Sequence, residues 1–283
     1  MELKTILYEV AEGIATITLN RPHRMNAWTG RMHTEYRYVL DKADRDADVR
    51  VIVVTGAGRG FCVGADTQAL EGHVEKGGYD PGTPVDLVMP GSGYRPEFEA
   101  SFAYHFALQK PVIAAINGPA AGVGLVLACY ADIRFAVPGV KFTTAHGKLN
   151  FPAEYGLSWL LPRQIGLPKA NDLLLTSRIF LSDEACEMGL VHRLVTPDAL
   201  LTESYTYARQ MLETVSPGAL RATRRQIYED LHRDVGTAVD VSETLLTEMS
   251  RHPDYQEGVR AYLDKRRPDW QGDKPSSGDD NES

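Results

Sequence analysis

Cysteine is scarce in this chain. Cys62, Cys129 and Cys186 are the only three in 283 residues. They form no CxxC pair and no zinc spacing, which predicts reduced thiols in a cytoplasmic setting. No run of about 18 apolar residues occurs, so no transmembrane helix is expected. The opening stretch MELKTILYEVAEG lacks an apolar segment of signal-peptide length. Positive charge is not in excess either. Thirty Lys and Arg against 38 Asp and Glu give a net charge of −8, which argues against general nucleic-acid binding. Neither a nucleic acid nor a membrane is an expected partner. No His/Cys/Asp cluster shows metal-ligand spacing, so no metal is expected.

What the chain does have is apolar content, 43% of its residues, enough for a sizeable core. Alternation at Ile6, Tyr8 and Val10, a turn at Gly13, and alternation over Ile14–Leu19 predict a hairpin. Trp28, Met32, Tyr36, Val39, Leu40 and Ala43 recur at helical spacing. A buried strand follows at Val51–Thr55, then a short helix after Asp66. A helix is expected over Pro96–Gln109, a strand over Pro111–Ile116, a helix after Gly122, and strands at Ile133–Ala136 and Val140–Phe142. This alternation argues an α/β fold. From about Pro197 the pattern is helical only, with helices at Ala199–Glu213, Gly218–Leu231, Thr237–Ser250 and Tyr255–Lys265. Such a block either packs on another subunit or covers its own core. The organisation expected is an α/β part over 1–196, a helical part over 197–270 and a polar, disordered tail over 271–283. Glu71–Arg95, rich in Gly and Pro, reads as a lid or binding loop or as a mobile surface insertion.

Two segments carry chemistry. The Val51 strand breaks into GRGFCVGADTQAL at Gly58–Leu70, and the Val112 strand breaks into NGPAAGVG at Asn117–Gly124. A strand that gives way to glycines and then a helix leaves backbone N–H groups unpaired. One donor from each break, converging on a single oxygen, makes an oxyanion hole.

NRPHRMNA at Asn20–Ala27, GRGFCVGAD at Gly58–Asp66 and KPVIAAINGPAAGVG at Lys110–Gly124 resemble the crotonase superfamily, the enoyl-CoA hydratases, enoyl-CoA isomerases and their relatives. Order and spacing agree, and further matches lie at Lys141–Gly166 and Glu257–Pro268. The resemblance implies a right-handed spiral of repeated β-β-α units with a C-terminal helical trimerisation region. The expected assembly is a homotrimer or hexamer. It implies an acyl-CoA thioester substrate, with no cofactor beyond the CoA carried by that substrate. An enolate-like intermediate would be held by the backbone N–H groups at positions matching Ala65 and Val123. Arg24 and Lys265 match basic positions near the CoA moiety, where a cation meets phosphate in a charge-assisted contact.

The acid/base group is where the chain departs from the family pattern. The two glutamates of a two-carboxylate hydratase align with Val126 and His146, neither of which is a carboxylate. Glu154, in PAEYG, matches an acidic position found in some isomerases of the superfamily, and one carboxylate can move a proton between two carbons by itself. His146 is a second acid/base group, an orienter of Glu154, or a satisfied wall residue. The reading is therefore a lyase or isomerase with Glu154 as acid/base. The alternatives are a C–C bond hydrolase with a His146/Glu154 dyad and a non-catalytic acyl-CoA-binding member.

Overall fold

A computed structural model describes residues 1–77, 82–84, 86–91 and 93–272. The hairpin forms as expected. Strand β1 (Ile6–Ala11) pairs antiparallel with β2 (Ile14–Leu19), Ile6 facing Leu19 and Ala11 facing Ile14. Its two-residue loop places Glu12 at φ +51° and Gly13 at φ +77°, the positive values that match a turn to strand twist. Strand β3 (Val51–Gly56) lies parallel between β2 and β4 (Val112–Ile116). Every residue of β3 and β4 is buried, which explains their unbroken apolar runs in place of alternation. Strands β6 (Ile133–Ala136) and β9 (Arg193–Leu194) complete a six-stranded sheet, ordered β1-β2-β3-β4-β6-β9. A second sheet holds β5 (Ala120–Ala121), β7 (Lys141–Thr143) and β8 (Phe180–Leu181), in the order β5-β7-β8.

Helix α1 (Gly30–Arg45) joins β2 to β3. Thr29 caps it by accepting the Met32 N–H at 3.1 Å, and Met32, Tyr36, Val39, Leu40 and Ala43 turn inward. Helix α2 (Thr67–Lys76) takes up the first six residues of the Gly/Pro-rich segment that reads as loop in the sequence. Within the rest of that segment, positions 78–81, 85 and 92 lie outside the described residues. Helix α3 (Val123–Tyr130) is buried at all eight positions. Helices α4 (Leu157–Ile165), α5 (Leu167–Thr176) and α6 (Ser182–Glu187) follow.

The expected helix over Pro96–Gln109 is a correction. Two short 3-10 turns stand there, Pro96–Glu99 and Ala103–Ala107, separated by an extended Ala100 and by Phe102 at φ +62°. Phe98, Phe102, Tyr104, His105 and Phe106 are all buried. A regular helix would have to show some of them to solvent, and the broken path hides them all.

The chain divides into two compact units, Met1–Ala208 and one beginning at Arg209, with the boundary inside α7 (Leu200–Thr214). The second unit is helical: α8 (Pro217–Glu229), α9 (Val235–Met249) and α10 (Pro253–Asp264), capped by Ser216, Asp234 and His252. Its helices carry exposed Val235, Leu246, Tyr262 and Leu263. Of the tail, Gln271 and Gly272 donate their N–H groups to the Asp254 carboxylate, and 273–283 lie outside the described residues. Among the described residues no helix is long and apolar enough to cross a membrane.

Candidate active site

The two strand breaks run side by side. Cys62 N–H donates to the Pro119 carbonyl (3.2 Å) and Ala121 N–H to the Cys62 carbonyl (3.0 Å). Gly124 sits where the two backbones touch: a Cβ there would fall 2.0 Å from the Cys62 carbonyl oxygen. Asn117 and Asn26 tie the loop down, each donating its side-chain amide to the Gly60 carbonyl.

This packing delivers two free donors. Trp28 grips both sides of Ala65, giving its N–H to the Gly64 carbonyl (2.7 Å) and accepting the Asp66 N–H (2.9 Å). Ala65 itself is exposed. Gly122 takes φ +48° and ψ −122°, which lets Val123 begin α3 with ordinary helical geometry. The positive φ that would penalise valine thus falls on its glycine neighbour. A Cβ on Gly64 would lie 4.0 Å from the Gly122 Cα, so the two segments are in contact. Among the described residues neither the Ala65 N–H nor the Val123 N–H has an acceptor. The Val123 N–H also heads α3, whose dipole favours negative charge there. At the far end of α3, Arg134 donates to the Ala128 and Ala131 carbonyls and Gln164 to the Cys129 carbonyl (2.8 Å).

Val126 lies inside α3, fully buried. His146 is tied to the second break through the sheet: Gly122 N–H donates to the Thr143 carbonyl, and β7 leads within three residues to His146. It is buried, and its Nδ1 has no partner among the described residues. Glu154 is half-buried at the start of a 3-10 turn, Glu154–Gly156. Its carboxylate makes no hydrogen bond or ion pair among the described residues. Burial raises its pKa above the ordinary 4.5, since an unpaired charge is disfavoured away from water.

An aromatic wall connects these pieces. The Tyr155 ring meets Phe102 edge-on at 5.1 Å, and Phe102 lies 5.8 Å from Trp28, the residue that grips Ala65. Phe102 keeps its left-handed backbone with help from His105, whose Nδ1–H donates to the Phe102 carbonyl (2.7 Å) while Nε2 accepts from the Tyr36 hydroxyl (2.9 Å). A carbonyl oxygen can only accept, so Nδ1 is the nitrogen that carries a proton in that bond. His33 also borders the wall, 5.4 Å from Phe102. Burial, aided by the charge of Arg37, lowers its pKa to about 4.

The basic residues divide. Arg24 is exposed, and its charge reaches Asp66. The sequence reading missed Arg21, which is mostly buried and forms an ion pair with Asp66 at 2.8 Å while donating to the Ala27 carbonyl. Its signal was its place in NRP, between two buried segments. Burial alone would raise the Asp66 carboxyl, but the Gln68 N–H, Arg21 and Arg24 outweigh it and hold its pKa below the usual value. Lys265 belongs to the second unit, where it closes α10 at φ +53°. Its neighbours Arg266 and Arg267 pair with Glu257 and Glu213, and Lys265 has no ion pair among the described residues. No group of three or more His, Cys, Asp or Glu among the described residues is placed to hold a metal ion.

Two glycine-bent strand ends, in contact at Gly64 and Gly122, thus present the Ala65 and Val123 N–H groups, without acceptors among the described residues, beside a six-stranded sheet. Residues 9–274 match the family model described as enoyl-CoA hydratase/isomerase, and the chain belongs to that family. It is 34% identical over 270 residues to the 1,2-epoxyphenylacetyl-CoA isomerase of Escherichia coli, covering 95% of this chain and 99% of that protein. Among solved structures it resembles an enoyl-CoA hydratase from Mycobacterium tuberculosis, with TM-score 0.81, 28% identity and coverage of 95% and 99% of the two chains. An enoyl-CoA hydratase/isomerase from Mycobacterium paratuberculosis gives TM-score 0.78 and 32% identity, covering 95% and 98%. The α/β, crotonase-type fold is that of these neighbours.

Proposed function

We propose that this enzyme binds an acyl-CoA thioester and moves a proton by way of an enolate-like intermediate, with Glu154 as the acid/base group. The thioester oxygen lies between the N–H groups of Ala65 and Val123. As Glu154 takes a proton from carbon, charge builds on that oxygen and meets donors that are already in place. Glu154 then returns the proton to a different carbon; in an atypical water addition it instead takes the proton from water as the oxygen adds to the β-carbon, and delivers that proton to the α-carbon. The observation that carries this reading is the unpartnered, half-buried Glu154 with its raised pKa, in a chain that has Val126 and His146 where a two-carboxylate hydratase has its acids.

Arg24, a cation free of ion pairs among the described residues, is assigned to the CoA phosphates; Lys265, equally free of ion pairs there, is assigned separately to CoA phosphates, those of a substrate on a neighbouring subunit included. CoA arrives with the substrate, and no separate cofactor is invoked. The exposed apolar residues of α9 and α10 support burial in a homotrimer or hexamer. Three free thiols, two of them buried, fit a cytoplasmic site of action.

One observation favours a second reading. The open Nδ1 of His146 suits a His146/Glu154 dyad that activates water against a C–C bond. The test is turnover of a 2-enoyl-CoA and a 3-enoyl-CoA, followed by the ultraviolet signal of the conjugated thioester. Loss of signal marks hydration and gain marks isomerisation. Glu154→Gln should bind acyl-CoA and lose nearly all turnover, the pattern of a group acting in the transition state. His146→Ala should cost little if one carboxylate suffices, and as much as Glu154→Gln if a dyad operates. A fully active Glu154→Gln enzyme refutes both readings, and binding without turnover of any substrate by the unaltered protein points to a non-catalytic member.

A further inference from the structure

Helix α3 opens with Val123, one of the two free N–H donors, and closes with Tyr130. The Tyr130 hydroxyl donates to the Tyr155 carbonyl at 2.8 Å. Tyr155 is the residue after Glu154, and it holds φ +54° and ψ +32° inside the turn. Gly156 follows at φ +79°. Two consecutive left-handed residues, the first a tyrosine, are disfavoured unless the surroundings impose them. Here Phe102 packs against the Tyr155 ring and Tyr130 bonds its carbonyl. A Cβ on Gly156 would fall 2.8 Å from the Tyr130 oxygen, so the hydroxyl and the turn are fitted to each other.

We propose that Tyr130 is a positioning residue, whose hydroxyl locks the left-handed Tyr155–Gly156 turn and so aims Glu154 at the oxyanion hole. The proposal rests on the assignment of Glu154 as the acid/base group. Val123 and Tyr130 are seven residues apart, about 10 Å of helix at 1.5 Å per residue. Helix α3 is buried on every face, and its last carbonyls are held by Arg134 and Gln164. It therefore acts as a rigid spacer between an oxyanion donor at one end and the carboxylate turn at the other. The Tyr130 ring is itself clamped, 5.1 Å from Phe106 and 5.9 Å from His105. Burial, with the neighbouring Cys129, pushes its pKa up to about 12, so it stays protonated as a donor.

Tyr130→Phe keeps the ring contacts and removes only the hydroxyl. Positioning by a remote hydroxyl is expected to cost part of what the acid/base group contributes, so kcat should fall about 10–100-fold. KM and the thermal midpoint should stay near those of the unaltered enzyme, a split that a general structural role would not give. Gly156→Ala, which puts a Cβ at a left-handed position 2.8 Å from the Tyr130 hydroxyl, perturbs the same turn from its other side. It should lower kcat, and the Tyr130→Phe/Gly156→Ala enzyme should lose less than the product of the two single losses, because both act on one turn. Multiplicative losses, or a folded Tyr130→Phe enzyme with full kcat beside an inactive Glu154→Gln enzyme, overturn the positioning role alone. A fully active Glu154→Gln enzyme overturns the acid/base reading and this role with it.

Discussion

Gly124→Ala is the sharpest single perturbation of the candidate site, because it adds one methyl group where two backbone segments touch. The new Cβ would stand 2.0 Å from the Cys62 carbonyl oxygen and 2.8 Å from both the Cys62 carbonyl carbon and its Cβ. Cβ contacts below 3.0 Å are essentially never found, so the two backbone segments must part by about 1 Å. One segment leads into Gly64–Ala65, and the other carries Val123. A displacement of that size in a group that orients the reacting atoms costs about 100-fold in rate. Overpacking also costs about 1–3 kcal/mol of stability, which a thermal melt reads separately. The assay is kcat on the preferred enoyl-CoA, with acyl-CoA affinity measured by calorimetry and the melt run in parallel. Gly72→Ala is the control. That glycine lies in α2 with nothing within 4 Å of its would-be Cβ, so the change should leave kcat alone and stabilise the helix by about 0.5–1 kcal/mol. A folded Gly124→Ala enzyme with unchanged kcat would refute the claim that these two segments set the position of the donors.

Three further outcomes are expected. Ala65→Pro removes one donor N–H and should lower kcat by about 10²–10³-fold in a folded protein; near-normal turnover removes Ala65 from the site. The raised pKa of Glu154 means that its carboxyl favours the folded state below its ordinary value of 4.5, a contribution lost as pH rises through the raised value. Glu154→Gln should therefore melt higher than the unaltered protein at neutral pH and show no such gain below pH 4.5, while the acidic limb of kcat/KM in the unaltered enzyme lies above 4.5. Equal melting temperatures at both pH values would count against the burial argument. Light scattering at micromolar concentration should show a trimer or hexamer, and Leu246→Asp, at an exposed position of α9, should shift it toward smaller species. A monomer alone in the unaltered protein contradicts the assembly.

Much of the frame was legible in the sequence because one force wrote it. β-branched and apolar runs such as Val51–Val54 and Val112–Ile116 have few alternatives to buried strands, and the helical spacing from Trp28 to Ala43 gave α1 within two residues of its observed bounds at each end. The glycine breaks were legible as well, since only close backbone approach or positive φ requires glycine there. Two-residue strands such as β8 and β9 carry too short a pattern to read. The Pro96–Gln109 segment misled because dense aromatics satisfy a helical period and a broken path equally well, and tertiary burial chose the path. Contacts between residues far apart in sequence, such as Tyr130 with Tyr155 or Arg21 with Asp66, leave no local trace. Arg21 and Arg24 look alike as letters, and only the fold shows that one is ion-paired with Asp66 and mostly buried while the other is exposed.

The donor half of the candidate site is made of main chain, and the carboxylate half is one side chain. This asymmetry sets how the enzyme can change over evolutionary time. Most substitutions at Ala65 or Val123 keep an N–H in place, so the donors proposed to meet the enolate oxygen survive drift there unless the backbone itself is moved. The acid/base group has no such protection, but it can be lost from one position and regained at another around the same fixed donors. With Glu154 as the proposed acid/base group, the same pair of main-chain donors would serve a carboxylate delivered from a separate turn in place of one at Val126 or His146, so the reaction could change while the donors stay.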